Sequence, residues 1–152
     1  MAIEIRRLGP GDTALVLAAR DLFDEPPQPA TTDRFFATAG HHLFLALEDG
    51  VPVGFVSGVE TSHPDKGTEM LLYELSVAER ARRRGIGRQL VEALRQLAIE
   101  RGCYGMWVLT EVDNAAALGT YRGTGARDAE HPVLLDWDLQ GERRPAAEPP
   151  SG

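Results

Sequence analysis

The stretch Glu74-Leu-Ser-Val-Ala-Glu-Arg-Ala-Arg-Arg-Arg-Gly-Ile-Gly-Arg-Gln-Leu90 decides how the rest of this chain is read. It contains the apolar end of a strand, a basic turn, a Gly-x-Gly and the first turns of an amphipathic helix. Such a junction aims unpaired backbone N–H groups and the positive end of a helix dipole at one spot, which suits a phosphate. Gly85 and Gly87 carry no Cβ, so an anion can approach the backbone closely there. Arg82, Arg83, Arg84 and Arg88 surround the spot with fixed positive charge. The stretch predicts a site for a phosphorylated ligand; the alternative is a solvated basic turn capping a helix. Two other phosphate motifs fit less well. A P-loop needs four residues between its glycines and then Lys-Ser/Thr, and a dinucleotide fingerprint needs a third glycine where Leu90 stands.

Working outward, the helix from Gly85 to Arg101 puts Ile86, Leu90, Leu94, Leu97 and Ala98 on one stripe, and Gly102 ends it. Before the turn, Thr68 to Val77 reads as a strand, and after the helix Tyr104 to Thr110 reads as a buried one. Upstream, Ile3–Leu8 alternates like an edge strand, and Asp12 caps a helix running through Leu22 on Leu15, Ala18 and Ala19. Three prolines make residues 23–30 a loop carrying Asp24 and Glu25, and a short helix at 32–39 follows. His42–Glu48 and Pro52–Glu60 form a hairpin around Asp49-Gly50, with 61–67 a polar connection. Downstream, Asn114 to Thr124 is a helix with Asp113 or Asn114 as cap and Gly125 as stop, and Val133–Leu139 is a closing strand. Residues 1–140 are expected to form one domain and 141–152 a disordered tail.

Composition excludes several classes. A formal charge of −7 argues against a nucleic-acid partner and accords with attraction of a cationic small molecule. The lone Cys103 leaves no internal disulfide and no multi-cysteine metal site, as in a reducing cytoplasm. No apolar run reaches membrane-spanning length, and the start Met-Ala-Ile-Glu-Ile lacks the layout of a signal peptide. The expectation is a cytoplasmic protein with neither membrane nor metal partner. His41 and His42 at a strand start read as surface or core residues, Cys103 as an inert thiol, and Trp107 and Trp137 as core aromatics, Trp137 with the option of flanking a sugar.

The residues also carry a resemblance. Arg82-x-x-Gly85-x-Gly87 is similar to the motif with which GCN5-related N-acetyltransferases (GNAT enzymes) grip the pyrophosphate of acetyl-CoA. Asn114-x-x-Ala117-x-x-x-Tyr121-x-x-x-Gly125 resembles the run on that family's next helix. The resemblance implies an α/β fold: a mixed, mostly antiparallel sheet with a splayed parallel pair, flanked by helices. It implies acetyl-CoA as co-substrate, held by residues 82–88 (Ile86 among them), by Asn114 and Ala117, and by the backbone of Leu75 and Val77. It also implies that Tyr121 protonates the departing thiolate; the alternative is a packed aromatic whose hydroxyl is satisfied by backbone.

Acetyl transfer to an ammonium needs a base, and Glu74, in the otherwise apolar run Met70–Val77, is the candidate. Burial there would raise its pKa; the alternative is a strand carboxylate facing water or an arginine. Within the family the closer resemblance is to small aminoglycoside 3-N-acetyltransferases, carried by Tyr73–Val77, the turn at 82–87, Leu118–Tyr121 and Leu135-Asp-Trp-Asp-Leu139. It implies an antibiotic amine as acceptor, and family members are often homodimers. The acidic residues Asp24, Glu25, Glu111 and Asp136, on loops or strand ends, are the candidates to rim the acceptor site, the alternative for each being surface solvation. The other readings are acetylation of a polyamine, an amino-acid derivative or a protein N-terminus, or an acyl-CoA-binding module without turnover.

Overall fold

A computed structural model describes residues 2–140 of the chain. The elements, in order, are β1 (Ile3–Arg7), α1 (Thr13–Ala18), α2 (Pro29–Ala37), β2 (His41–Glu48), β3 (Val51–His63), β4 (Gly67–Val77), α3 (Ile86–Glu100), β5 (Met106–Trp107) and α4 (Ala115–Gly123). Single 3-10 turns at Arg20–Leu22 and Glu79–Ala81 link them. The five strands lie in chain order, antiparallel except for the parallel pair β4–β5 that brackets α3. Parallel neighbours need a long crossover, and the amphipathic α3 supplies it.

Local chemistry sets most boundaries. Asp49 and Gly50 both take left-handed backbone, with φ of 49° and 80°, as a two-residue hairpin requires. Pro29 occupies the first turn of α2, where its missing N–H costs nothing. That helix therefore starts three residues before the expected Thr32. α1 is shorter than expected, giving way to a 3-10 turn after Ala19, and its buried residues are Val16 and Ala19, with Ala18 exposed. The connection expected at 61–67 is mostly sheet, because its polar residues pair across strands. The hydroxyls of Ser62 and Thr68 are 2.9 Å apart, and His63 Nε2 is 3.0 Å from Glu69 Oε1.

The sheet is covered on both faces. On one, Ile86, Leu90, Val91, Leu94 and Leu97 of α3 pack on Phe44, Ala46, Val56, Met70 and Leu72. On the other, Leu43, Leu45, Leu47 and Phe55 meet Leu8, Val16 and Ala19. There the Phe23 ring stacks on Phe55 with centroids 4.1 Å apart, which anchors the Pro-rich loop to the sheet. Gly58 lets α3 come close: a Cβ there would stand 2.5 Å from Leu94 Cδ1.

One irregularity in β4 matters most. Ser57 pairs with Glu74 while Gly58 pairs with Leu72, so Tyr73 is an extra residue, exposed and without a partner across the ladder. Before this bulge, Met70 and Leu72 face α3. After it the phase is reversed: Leu75 and Val77 pack toward α3, and Glu74 shares the opposite face with Ser57 and Phe55.

Two expected strands fail. Residues 104–110 give only two residues of strand, and Trp107 is 40% exposed. Val133–Leu139 forms no strand: Val133, Leu134, Leu135, Trp137 and Leu139 are all at least 63% exposed. Alternation and β-propensity describe a surface that fits a sheet, and a segment that does not pair with an edge makes no strand whatever its own residues favour. Neither tryptophan is a core residue. The tail expected at 141–152 lies outside the described residues.

Candidate active site

The parallel pair opens into a fork. Tyr104 N–H donates to Thr68 O and Met70 N–H to Gly105 O, both at 2.9 Å, and the last register pair is Leu71–Trp107. β4 continues to Val77 while β5 stops, so the β5-side edge of residues 72–77 has no strand against it. A ligand carrying amide groups can pair with such an edge as a strand would.

At the open end of the fork stands the basic turn. Gly85 is left-handed (φ 78°) and caps α3 without a side chain, and its carbonyl already accepts from Gln89 N–H. The amides of Ile86, Gly87 and Arg88 precede any intrahelical acceptor and carry the positive end of a 15-residue helix. Arg83 is also left-handed (φ 62°), which bends the turn around those amides. The four arginines are not equivalent. Arg84 is committed to Glu48 by two hydrogen bonds of 2.6 and 3.1 Å, and this partner holds the Glu48 carboxyl below its ordinary range. Arg82 Nε donates to Val77 O at 3.1 Å, tying the turn to the end of β4. Arg88 lies along Gly123 of α4, where a Cβ would come within 2.7 Å of its guanidinium. Arg82, Arg83 and Arg88 have no carboxylate partner among the described residues. The Ile86 side chain belongs to the core, so only its backbone is available to a ligand.

Glu74 is half-buried beside the fork, on the face of the Pro-rich loop, with no ion-pair partner among the described residues. Desolvation raises its pKa above the ordinary glutamate value, and the negative charge of Asp24 raises it further. The sequence places Asp24 in a loop fifty residues away, and the fold carries it to Glu74 through the Phe23–Phe55 stack. Glu25 is exposed in the same loop, Glu111 is exposed between β5 and α4, and Asp136 is exposed in the unpaired segment. Of the four acidic rim candidates, only Asp24 is brought to the carboxylate.

Tyr121 sits across the sheet from Glu74, in the α3-side core, 9% exposed. Burial raises its pKa, so the phenol stays protonated at neutral pH. α4 is positioned by Asn114, whose Oδ1 accepts from Ala117 N–H at 3.1 Å, the expected N-cap. Gly87 meets α4 at Thr120, where a Cβ would lie 3.5 Å from Cγ2, which seats the helix against the basic turn. Behind Tyr121 lies an apolar cavity of about 250 Å³, bounded by Leu72 and Val108 at the fork and by Val91, Ala98 and Cys103. Burial also raises the Cys103 thiol, which accords with an unreactive role. The bulge at Tyr73, the pairing of Arg84 with Glu48 and this cavity were not anticipated. Sequence carries no cue for a one-residue slip in a run as uniformly apolar as Met70–Val77.

Among the described residues no cluster of three His, Cys, Asp or Glu side chains could hold a metal ion, and no helix is long and apolar enough to cross a membrane.

The forked sheet and the glycine turn define a class. The profile of the acetyltransferase (GNAT) family matches residues 13–126, and the chain belongs to that family. Among curated proteins it is similar to N-acetyltransferase family 8 member 2 of Rattus norvegicus, 27% identical over 103 residues, 67% of this chain and 46% of that one. The chain spans about half the length of the curated relatives it matches. Among solved structures it superposes on the aminoglycoside acetyltransferase meta-AAC0020 from an uncultured soil metagenomic sample, in complex with sisomicin. The TM-score is 0.83 at 22% identity, over 91% of this chain and 97% of the other. It also superposes on AAC(6')-Iy in complex with the bisubstrate analogue CoA-S-monomethyl-acetylneamine. There the TM-score is 0.77 at 19% identity, over 91% and 99% of the two chains. The fold is that of the GNAT family.

Proposed function

We propose that this chain is an acetyl-CoA-dependent N-acetyltransferase acting on a cationic small-molecule amine, with the 3-amino group of an aminoglycoside as the preferred acceptor. The observation that carries the reading is the fork with Glu74 on one face and Tyr121 on the other. The coenzyme diphosphate docks on the amides of residues 86–88 with Arg82, Arg83 and Arg88 around it, and its amide-bearing arm lies along the free edge of β4. The amine arrives from the face of the 23–28 loop, where Asp24 and Glu74 attract the ammonium. Glu74 takes a proton from it, directly or through one water. The freed nitrogen attacks the acetyl carbon while β4 amides near Leu75 and Val77 face the carbonyl oxygen. The C–S bond breaks, Tyr121 gives its proton to the sulfur, and the phenolate takes back the second proton that the nitrogen sheds as the amide forms.

The acceptor class rests on this acidic approach and on the resemblance at 73–77, 82–87, 118–121 and 135–139. The aminoglycoside-bound neighbour is consistent with it. The 3-position rests on the sequence resemblance alone, since the neighbours include a 6'-type enzyme. Resistance to the antibiotic would be the biological outcome, and the single cysteine fits a cytoplasmic setting. A homodimer is supported by the exposed apolar run Val133–Leu139, a surface that a second copy can cover. The test is release of free CoA from acetyl-CoA with a panel of amines. Turnover with kanamycin or gentamicin, and an acetyl group mapped to the 3-nitrogen by NMR, is expected. Turnover only with spermine or peptides would move the acceptor, and coenzyme binding without turnover would make the chain a sensor.

A further inference from the structure

The cavity behind Tyr121 is not needed for an acetyl group, and its position gives it a use. Its lining includes Tyr121 together with Leu72 and Val108, the residues just past the last β4–β5 register pair. It extends from there between β5 and the C-terminal half of α3, along Ala98, Cys103 and Met106. The lining is mostly apolar, with Arg95 and Thr124 among its polar members, and the volume is about 250 Å³. The pocket is open to solvent on the side of Arg95, Ile99 and Trp107, and its apolar walls suit a short hydrocarbon chain.

We propose that this cavity is an acyl-chain pocket, so that the chain takes straight acyl thioesters of coenzyme A up to about hexanoyl as well as acetyl. The inference rests on the acyltransferase reading above. The balance of the reaction is unchanged: the C–N bond forms, the C–S bond breaks, one ammonium proton goes to Glu74, the thiolate takes one from Tyr121, and Tyr121 regains it from the nitrogen as the amide forms. What changes is that the methylenes beyond the carbonyl leave the fork into the cavity.

The test titrates the full chain with acetyl-CoA and with the stable thioethers S-ethyl-, S-butyl- and S-hexyl-CoA by calorimetry. Turnover with acetyl-, butyryl- and hexanoyl-CoA is measured in parallel on one accepted amine. Affinity is expected to tighten about fourfold per added methylene until the cavity is full. Cys103→Phe, which fills the lower half, should abolish that gain and leave acetyl-CoA affinity and turnover intact; Cys103→Leu covers the case in which Phe prevents folding. A flat profile from ethyl to hexyl overturns the inference, as it would if residues 133–139 or a second copy occupied the space. So does a chain-length gain that survives both substitutions. Failure of every thioester, acetyl included, sinks the acyltransferase reading itself.

Discussion

Replacing Glu74 with Gln should do two things of opposite sign, and the combination separates a catalytic carboxylate from a structural one. Glutamine keeps the shape and cannot accept the ammonium proton, so kcat should fall by roughly 10²–10⁴-fold, the usual contribution of a positioned base. Coenzyme affinity should hold, because the diphosphate contacts proposed for residues 82–88 lie at the other end of the fork. Stability should rise. The native Glu74 pKa is raised first by desolvation and then by Asp24, so the folded state binds more protons than the unfolded chain just above the ordinary glutamate value. Stability from this group is therefore full below the unfolded pKa and is lost as pH climbs through the folded one. At pH 7.5 the charged form is the disfavoured one, and the substitution removes that cost. Because the side chain is only half-buried, screening limits the gain to a few tenths of a kcal/mol, or about 1 °C in Tm. The same raised pKa places the acid limb of the kcat profile above the range of an ordinary glutamate. Asp24→Asn should move that limb to lower pH by removing the second cause. Stopped-flow assay of CoA release from pH 5 to 9, with thermal melts at pH 5 and 7.5, reads all of this. A Glu74→Gln variant with unchanged kcat, or a destabilised one, would refute the reasoning.

The other predictions are simpler. Tyr121→Phe keeps the packing and removes the phenolic proton, so kcat should fall at least tenfold with the coenzyme Kd unchanged; equal losses in both would make Tyr121 a packing residue. Gly85→Asp forces a side chain into a left-handed position (φ 78°) and adds a like charge beside the diphosphate site; calorimetry should show coenzyme affinity lost while the melt moves by only a few degrees. Gly58→Ala puts a Cβ 2.5 Å from Leu94 Cδ1 and 3.0 Å from Met70 Sδ, and should cost about 1–3 kcal/mol in urea unfolding. Asn114→Ala removes the bond to Ala117 N–H and should cost about 1 kcal/mol, with Asn114→Asp restoring most of it.

How much of this was legible in the sequence depends on the range of the interaction responsible. The α3 stripe, the Asp49-Gly50 hairpin, the Asn114 cap and the glycine turn are set by residues within a turn or two of each other, and all were readable. The parallel order of β4 and β5 followed from the crossover length. Val133–Leu139 reads as a strand because its own residues favour one, yet what decides is whether it pairs with another strand, which its own residues do not settle. The meeting of Asp24 with Glu74 depends on an aromatic stack between Phe23 and Phe55, which no periodicity encodes. Arg84 looked like its neighbours in the motif, and only the proximity of Glu48 removed it from the set of unpaired cations.

The extra residue at Tyr73 has a consequence for how this enzyme class can vary. It exchanges inside for outside halfway along β4, so Glu74 and Tyr121 come to stand on either side of a single layer. Pairing Tyr73 with Ser57 at unchanged length would turn Glu74 to the side of Tyr121, whereas deleting Tyr73 would leave Glu74 paired with Ser57, where it now stands. The register of β4 at Tyr73 thus decides which side of the layer the Glu74 carboxylate occupies, independently of the identity of any side chain around it.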